Sequence, residues 1–242
     1  IYISEDMIKS IYNRFISKKP VPYYIHEKMN FLFRQYITTG GMPEVVQKFV
    51  DTNDYRAVDK VQHDLLLGYQ YDIAHYATAE EKIKAEKCFY SLTNQLLDKE
   101  NHKFQYKEIE KGARAQKYYS SIEWLIKADI ISISRMVGYV EYDLSDHARN
   151  DFFRAYATDL SLLIPMKDFS LKQHIVENTL TGYTRGGIYE SAIADILIKK
   201  GYSLYYYKKE NSTSEIEFLI QKEGRIIPIE VKSSNSKSNS LN

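Results

Sequence analysis

Residues 215–232, EIEFLIQKEGRIIPIEVK, constrain the fold more than any other stretch of the chain. Apolar and polar residues alternate on both sides of a KEGR break, and a period of two marks strands with one buried face. The spacing predicts strands over 215–221 and 225–232 folded back as a hairpin. Ile216, Phe218 and Ile220 then share one face while Glu215 and Glu217 share the other. In the returning strand Ile227, Ile229 and Val231 lie opposite Glu230 and Lys232. Pairing of the two strands places Glu217 and Glu230 on one surface with Lys232 beside them. A strand over 202–207 and a helix over 189–200 precede the hairpin, so this end of the chain reads as an α/β unit.

The first 98 residues read differently, as helices throughout. Ile3, Met7, Ile11, Tyr12 and Phe15 recur at helical spacing in residues 1–17. A helix over 25–37 stops at Gly40 and Gly41, because glycine accepts the left-handed cap conformation, and Pro43 opens the next helix. Longer helices follow over 54–75 and 80–97. Residue 1 is Ile, already inside a helical pattern, and the far end stops in the Ser/Asn-rich SSNSKSNS, so the chain is expected to be a fragment.

Between these parts the order is a helix, the short extended KFQY, a helix near Ile109, a helix over 117–127 and the β-prone DIISISRMV. That is the order of a winged helix-turn-helix, with residues 118–127 in the recognition-helix position and Tyr118, Ile122, Leu125 and Ile126 facing inward. Trp124 is expected to be a core anchor. The segment carries Lys99, Lys103, Lys107, Lys111, Arg114, Lys117, Lys127 and Arg135 against Glu100, Glu108, Glu110, Glu123 and Asp129, an excess of three positive charges. An excess of that size permits DNA binding without demanding it. The expected architecture is mixed α/β and predominantly helical: a helical lid over 1–80, a winged helix over 81–142 and an α/β domain over 143–242.

Composition removes several classes. A net charge of +1 excludes a global field for nucleic acid or membrane. Cys88 is the single cysteine, so no intrachain disulfide forms; a reducing, cytoplasmic setting is expected, and no apolar run is long enough for a membrane span. None of the ten glycines is followed by Lys, so the phosphate-cradling G-x-x-x-x-G-K-[ST] loop is absent and ATP hydrolysis by that route is not expected of this fragment. The six histidines show no paired ligand spacing for zinc.

Two carboxylates and a lysine converging on one surface suit Mg²⁺, which takes oxygen ligands and substrate phosphate. With Glu190 in GGIYESAIADIL, followed by EIEF and IEVKSS, the end unit resembles the PD-(D/E)xK nuclease-like signature. The resemblance extends upstream through YITTGGMPEVV, YDIAHY, QLLDKENHKFQY, SSIEWLIKADII and FFRAYATDLSLL, and covers nearly the whole chain. It is to a prokaryotic family of AAA-superfamily ATPases whose P-loop domain is followed by a lid, a winged helix and a nuclease-like domain. The resemblance implies a missing amino-terminal ATPase domain as partner, ATP bound by the parent protein, DNA as a partner, and an oligomeric state left open. It also implies Glu217 and Glu230 as Mg²⁺ ligands, Lys232 assisting the attacking water, Glu190 orienting it, and Gly41 and Pro43 as lid contacts to the nucleotide base. Two departures stand out. The family's EIDF is EIEF here, and the extra methylene of Glu217 shifts a carboxylate by roughly 1–1.5 Å, beyond the ~0.5 Å tolerance of a preorganised site. The family also continues past E-x-K, so the nuclease-like domain is expected to be incomplete.

Each feature also has a plainer reading. The acidic residues and Lys232 serve equally as ion pairs on an exposed sheet face. Gly40 to Pro43 serve equally as a helix stop and start, and Glu190 as a carboxylate near a helix amino terminus. The alternative functions are a non-catalytic nucleic-acid-binding module with a vestigial site and a protein-interaction module using the tyrosine-rich surface.

Overall fold

A computed structural model describes residues 3–76, 79–97, 103–209 and 215–232. The terminal SSNSKSNS, most of the KKENSTS turn, and Lys99, Glu100 and His102 lie outside the described residues. The fold is mixed α/β and predominantly helical, with one five-stranded sheet among the described residues.

Helices α1 (Glu5–Ile16), α2 (Tyr23–Thr39), α3 (Pro43–Thr52), α4 (Tyr55–Tyr76) and α5 (Ala79–Leu96) form the first part. Their ends follow local chemistry. The Ser4 hydroxyl caps α1 by accepting the Met7 N–H at 3.3 Å. Gly40 ends α2 at φ 75°, a region that disfavours any residue with a Cβ, and Pro43 opens α3. Asp54 accepts the Arg56 N–H at 2.8 Å at the start of α4. The Gln62 amide then donates to the Thr38 and Thr39 carbonyls at 3.0 and 2.9 Å, which satisfies the open end of α2. The apolar stripe expected of α1 is present but uncovered: no residue of this helix is buried, and Tyr12 and Phe15 are 62% and 76% exposed.

The middle segment keeps most of the expected order. Phe104 donates its N–H to the Phe153 carbonyl at 2.8 Å, and their rings stack at 5.2 Å. Near Ile109 the chain forms only a 3₁₀ turn, Tyr106–Glu108, where a helix was expected. Helix α6 (Ala115–Lys127) buries Tyr118, Ile122 and Leu125, with Trp124 partly buried against the same core. Strands β1 (Ile131–Val137) and β2 (Ala148–Ala157) follow as an antiparallel hairpin.

Next come α7 (Leu160–Leu163), α8 (Phe169–Glu177), α9 (Gly182–Lys199), β3 (Leu204–Lys208), β4 (Glu215–Lys222) and β5 (Arg225–Ile229). The sheet order is β2-β1-β3-β4-β5, with β1 and β3 parallel and the other neighbours antiparallel. The expected boundary at 142/143 falls in the β1–β2 turn, and strands from both sides of it belong to this one sheet. One apolar core accordingly runs from Ile37 in α2 through Leu96 and Ile122 to Ile188, Phe218 and Ile220. Gly187 makes the closest join: a Cβ there would sit 1.7 Å from the Leu96 carbonyl oxygen, so α9 can lie against α5 only with glycine at this position.

The hairpin turn is as tight as the sequence implies, with Glu223 and Gly224 both at positive φ (51° and 73°), the pattern of a two-residue type I′ turn. The alternation in β4 needs a correction. Tyr207 pairs with Ile216 but Tyr205 pairs with Leu219, so three residues of β3 oppose four of β4. This β-bulge puts an extra residue at 216–217 and breaks the period of two. Ile216 therefore joins Leu219, Val137 and Leu144 in a small cluster, while Phe218 and Ile220 enter the main core. Glu215 moves with the register and turns to Arg154 rather than lying beside Glu217.

Candidate functional site

Beyond the bulge the hairpin does bring three of the chosen side chains together. Extending the β4–β5 register by one residue past Phe218–Ile229 sets Glu217 across from Glu230. The two carboxyls face each other closely enough for each to feel the other's charge. Glu217 also accepts the Val231 N–H at 3.4 Å, and the Lys232 ammonium lies 4.0 Å from Glu217 and in contact with Glu230. The Glu230 side chain is 4% exposed. Burial, then the acceptor and the negative charge that Glu230 presents to the Glu217 proton, push the Glu217 carboxyl up to about 7. Two carboxylates this close cannot both ionise freely, so near neutral pH the pair shares one proton. Burial works against the Lys232 charge, but Glu230 and Glu217 outweigh it and raise the ammonium's proton affinity.

As a donor set for Mg²⁺ this pair is chemically suitable: two hard carboxyl oxygens, with water completing the shell. It is also small, since no group of three or more His, Cys, Asp or Glu side chains able to hold a metal occurs among the described residues.

Glu190 is engaged elsewhere. Its Oε1 accepts the Arg154 guanidinium at 2.7 Å and the Tyr156 hydroxyl at 2.6 Å, with the Arg154 and Glu190 side chains only 4% and 6% exposed. The other arm of Arg154 contacts Glu215, which in turn lies 3.4 Å from Lys208, and the guanidinium stacks 4.7 Å over the Tyr206 ring. Burial, then the Glu190 charge, holds the Tyr156 hydroxyl protonated well above its ordinary value. This bonded chain fastens α9 to β2 and β4. Charges at such depth are retained only when paired, and both terminal nitrogens of Arg154 meet a carboxylate.

Gly41 and Pro43 stand where a helix stop and start would put them, and the turn is pinned by the chain itself. The Gly41 N–H donates to both Asp159 carboxylate oxygens, at 3.0 and 3.2 Å. Asp159 also caps α7 through the Ser161 N–H at 2.7 Å, while the Ser161 hydroxyl donates to the Thr39 carbonyl at 2.8 Å. Lys199 bridges Asp159 at 2.5 Å and Asp195 at 2.7 Å, and the Tyr36 hydroxyl donates to Asp195. Although burial opposes it, Lys199 and the Ser161 and Gly41 N–H groups hold the Asp159 carboxyl below its usual range. Burial raises that of Asp195.

Sequence reasoning missed Arg154, Asp159, Asp195 and Lys199. For two of them a signal existed. Asp159-Leu-Ser161 is an N-cap pattern, and Arg154 is a charge set inside the apolar FFRAYA, which calls for a buried carboxylate partner.

No curated protein and no solved structure matches the chain. Residues 185–242 match the family model described as Domain of unknown function (DUF4143), which takes in α9, β3, β4, β5 and the paired carboxyls. Residues 30–173 match the model described as Domain of unknown function (DUF8612); that match runs from α2 to α8 over more than half of the 242 residues, and the chain belongs to this family.

Proposed function

We propose that the chain is the carboxyl-terminal part of a prokaryotic AAA-type ATP-binding protein, and that its last unit carries out Mg²⁺-dependent phosphodiester hydrolysis on nucleic acid. The single observation carrying the hydrolytic reading is the convergence of Glu217, Glu230 and Lys232, with Glu217 held protonated up to about pH 7 by burial and then by Glu230. The match of residues 185–242 supports the ATPase association, since that domain accompanies AAA-type ATPases.

In this reading Glu217 and Glu230 would hold the cation, which requires both carboxyls to be ionised. Bound Mg²⁺ would supply Lewis-acid polarisation of a phosphoryl oxygen and a more acidic water. Lys232, an ammonium at neutral pH, sits where it can position that water or offset charge developing on the phosphorus oxygens. Glu190 contributes through Arg154 by fixing α9 against the sheet, rather than by orienting water directly. The P-loop belongs to a preceding part of the parent, and α1 to α4 form its lid. Gly41 and Pro43 remain the base contacts in this scheme, acting through surface contact because the Gly41 N–H is taken by Asp159.

The test is incubation with labelled single-stranded and duplex DNA, with Mg²⁺ or EDTA, for the wild type and Glu230→Gln. Metal-dependent cleavage that Glu230→Gln abolishes supports the reading; no cleavage in any arm overturns it. The engagement of Glu190 by Arg154 favours one second reading, a nucleic-acid-binding module with a vestigial site, for which salt-sensitive binding without cleavage is the signature.

A further inference from the structure

A second feature sits at the same end of the sheet. β1 and β3 run parallel, and the crevice at the carboxyl ends of parallel strands is where open α/β sheets hold ligands. Here that crevice is a cavity of about 280 Å³, lined by residues 136–138 and by Tyr139, Arg149, Tyr207, Lys208 and Lys209. Among the described residues, three cations and no carboxylate line it. Gly138 leaves the floor bare beside the Arg149 guanidinium, whose Nε would stand 3.4 Å from a Cβ at that position. Lys103, with its ammonium 3.7 Å from the Phe152 ring centroid, adds to the positive field, and Asp151 and Glu215 offset part of it. At the rim Tyr139 is 69% exposed, with its ring edge-on to His147 at 6.1 Å.

The crevice adjoins the paired carboxyls. Lys208 pairs with Glu215 across β3 and β4, and Glu217 follows two residues later in β4, at the same end of the sheet. Positive charge beside an exposed ring is the pairing that tracks a nucleic-acid strand, cations taking phosphates and the ring taking a base face.

We propose that the Arg149–Lys208–Lys209 crevice binds the phosphodiester backbone of a nucleic-acid strand, with Tyr139 stacking on a base, and so leads the strand to Glu217 and Glu230. The assignment rests on the hydrolytic reading of that pair for its biological sense, but its test does not depend on cleavage.

The test measures binding of a fluorescein-labelled single-stranded oligodeoxyribonucleotide by anisotropy in EDTA over a series of salt concentrations. Arg149→Gln/Lys209→Gln should weaken binding at least about tenfold and reduce the log–log salt slope by about 1.4, the slope of two phosphate contacts on a single strand. Lys48→Gln/Lys60→Gln, the same charge change on the distant helices α3 and α4, should leave both unchanged, and Tyr139→Ala should weaken binding without changing the slope. Unaltered melting of each variant by circular dichroism keeps the comparison to binding. Equal losses in the two lysine-containing pairs, or none in the Arg149 pair, overturn the proposal. So does full displacement by inorganic phosphate at matched ionic strength, which marks a free-anion site, or Arg149-dependent binding of polyglutamate in place of the oligonucleotide. Normal binding in the Arg149 pair together with cleavage lost in Glu230→Gln sinks the crevice and leaves hydrolysis standing; crevice-dependent binding with no cleavage does the reverse.

Discussion

Replacing Glu217 by Gln should make the protein more stable at alkaline pH and leave it nearly unchanged in acid. In the folded chain Glu217 keeps its proton up to about pH 7, against 4.5 for the same group free in solution. A folded-state proton affinity above the unfolded one contributes stability that is fully present below the unfolded value and is lost as pH rises through the folded one. At 1.36 kcal/mol per tenfold ratio the upper limit is about 3 kcal/mol, and about 1–2 kcal/mol remains once solvent screening of a partly open site is allowed for. Gln keeps an N–H to offer Glu230, carries no charge at any pH, and leaves the Lys232–Glu230 contact in place. At about pH 8 the variant should therefore melt roughly 2–8 °C higher than the wild type, since each kcal/mol moves the midpoint of a chain this size by about 2–4 °C. At about pH 4 the two should coincide within about 1 °C. Thermal denaturation followed by circular dichroism across this range is sufficient. Parallel pH profiles for the two proteins, or a variant less stable than wild type in alkali, would show that the carboxyls do not share a proton.

Other substitutions probe the frame around the site. Glu190→Ala leaves Arg154 buried with only Glu215 and should cost about 3–5 kcal/mol in urea denaturation, whereas Glu190→Gln, which keeps an acceptor, should cost clearly less. Gly187→Ala must push α9 away from the Leu96 carbonyl, and a loss of at least about 1–3 kcal/mol is expected by the same measurement. Asp159→Ala removes the acceptor for the Gly41 N–H and a partner of Lys199; limited proteolysis should then cut near residues 40–43 faster than in the wild type. Glu223→Asn, placing a residue that tolerates positive φ in the hairpin turn, should stabilise by a few tenths of a kcal/mol to about 1 kcal/mol.

The parts of this structure that periodicity could reveal were those governed by one segment at a time. Helices α2 to α6 start and stop close to where the spacing of their apolar residues puts them, with Gly40 closing α2, Pro43 opening α3 and Asp54 accepting an N–H at the start of α4, all of them local effects. Strands β4 and β5 and their turn follow from alternation and from Gly224. What stayed hidden depends on two segments at once. The bulge at 216–217 exists only in the register of β4 against β3, so Glu215 could not be separated from Glu217 by inspection of β4 alone. Likewise the joining of β1 to β3, which runs the sheet across the 142/143 position, involves strands 67 residues apart (Val137 to Leu204) and leaves no local mark. Within the site, Glu217, Glu230 and Lys232 were legible because all three lie in the hairpin. Glu190 was not, because its partner Arg154 arrives from a strand earlier in the chain.

The account turns on whether a divalent cation settles between the two carboxyls. Crystals of the wild type soaked in Mn²⁺ near neutral pH should show an anomalous peak within coordination distance of both Glu217 and Glu230, with the Lys232 ammonium drawn away from Glu230. A clean map at that position, with Glu217 still sharing its proton with Glu230 and Lys232 unmoved, would contradict it.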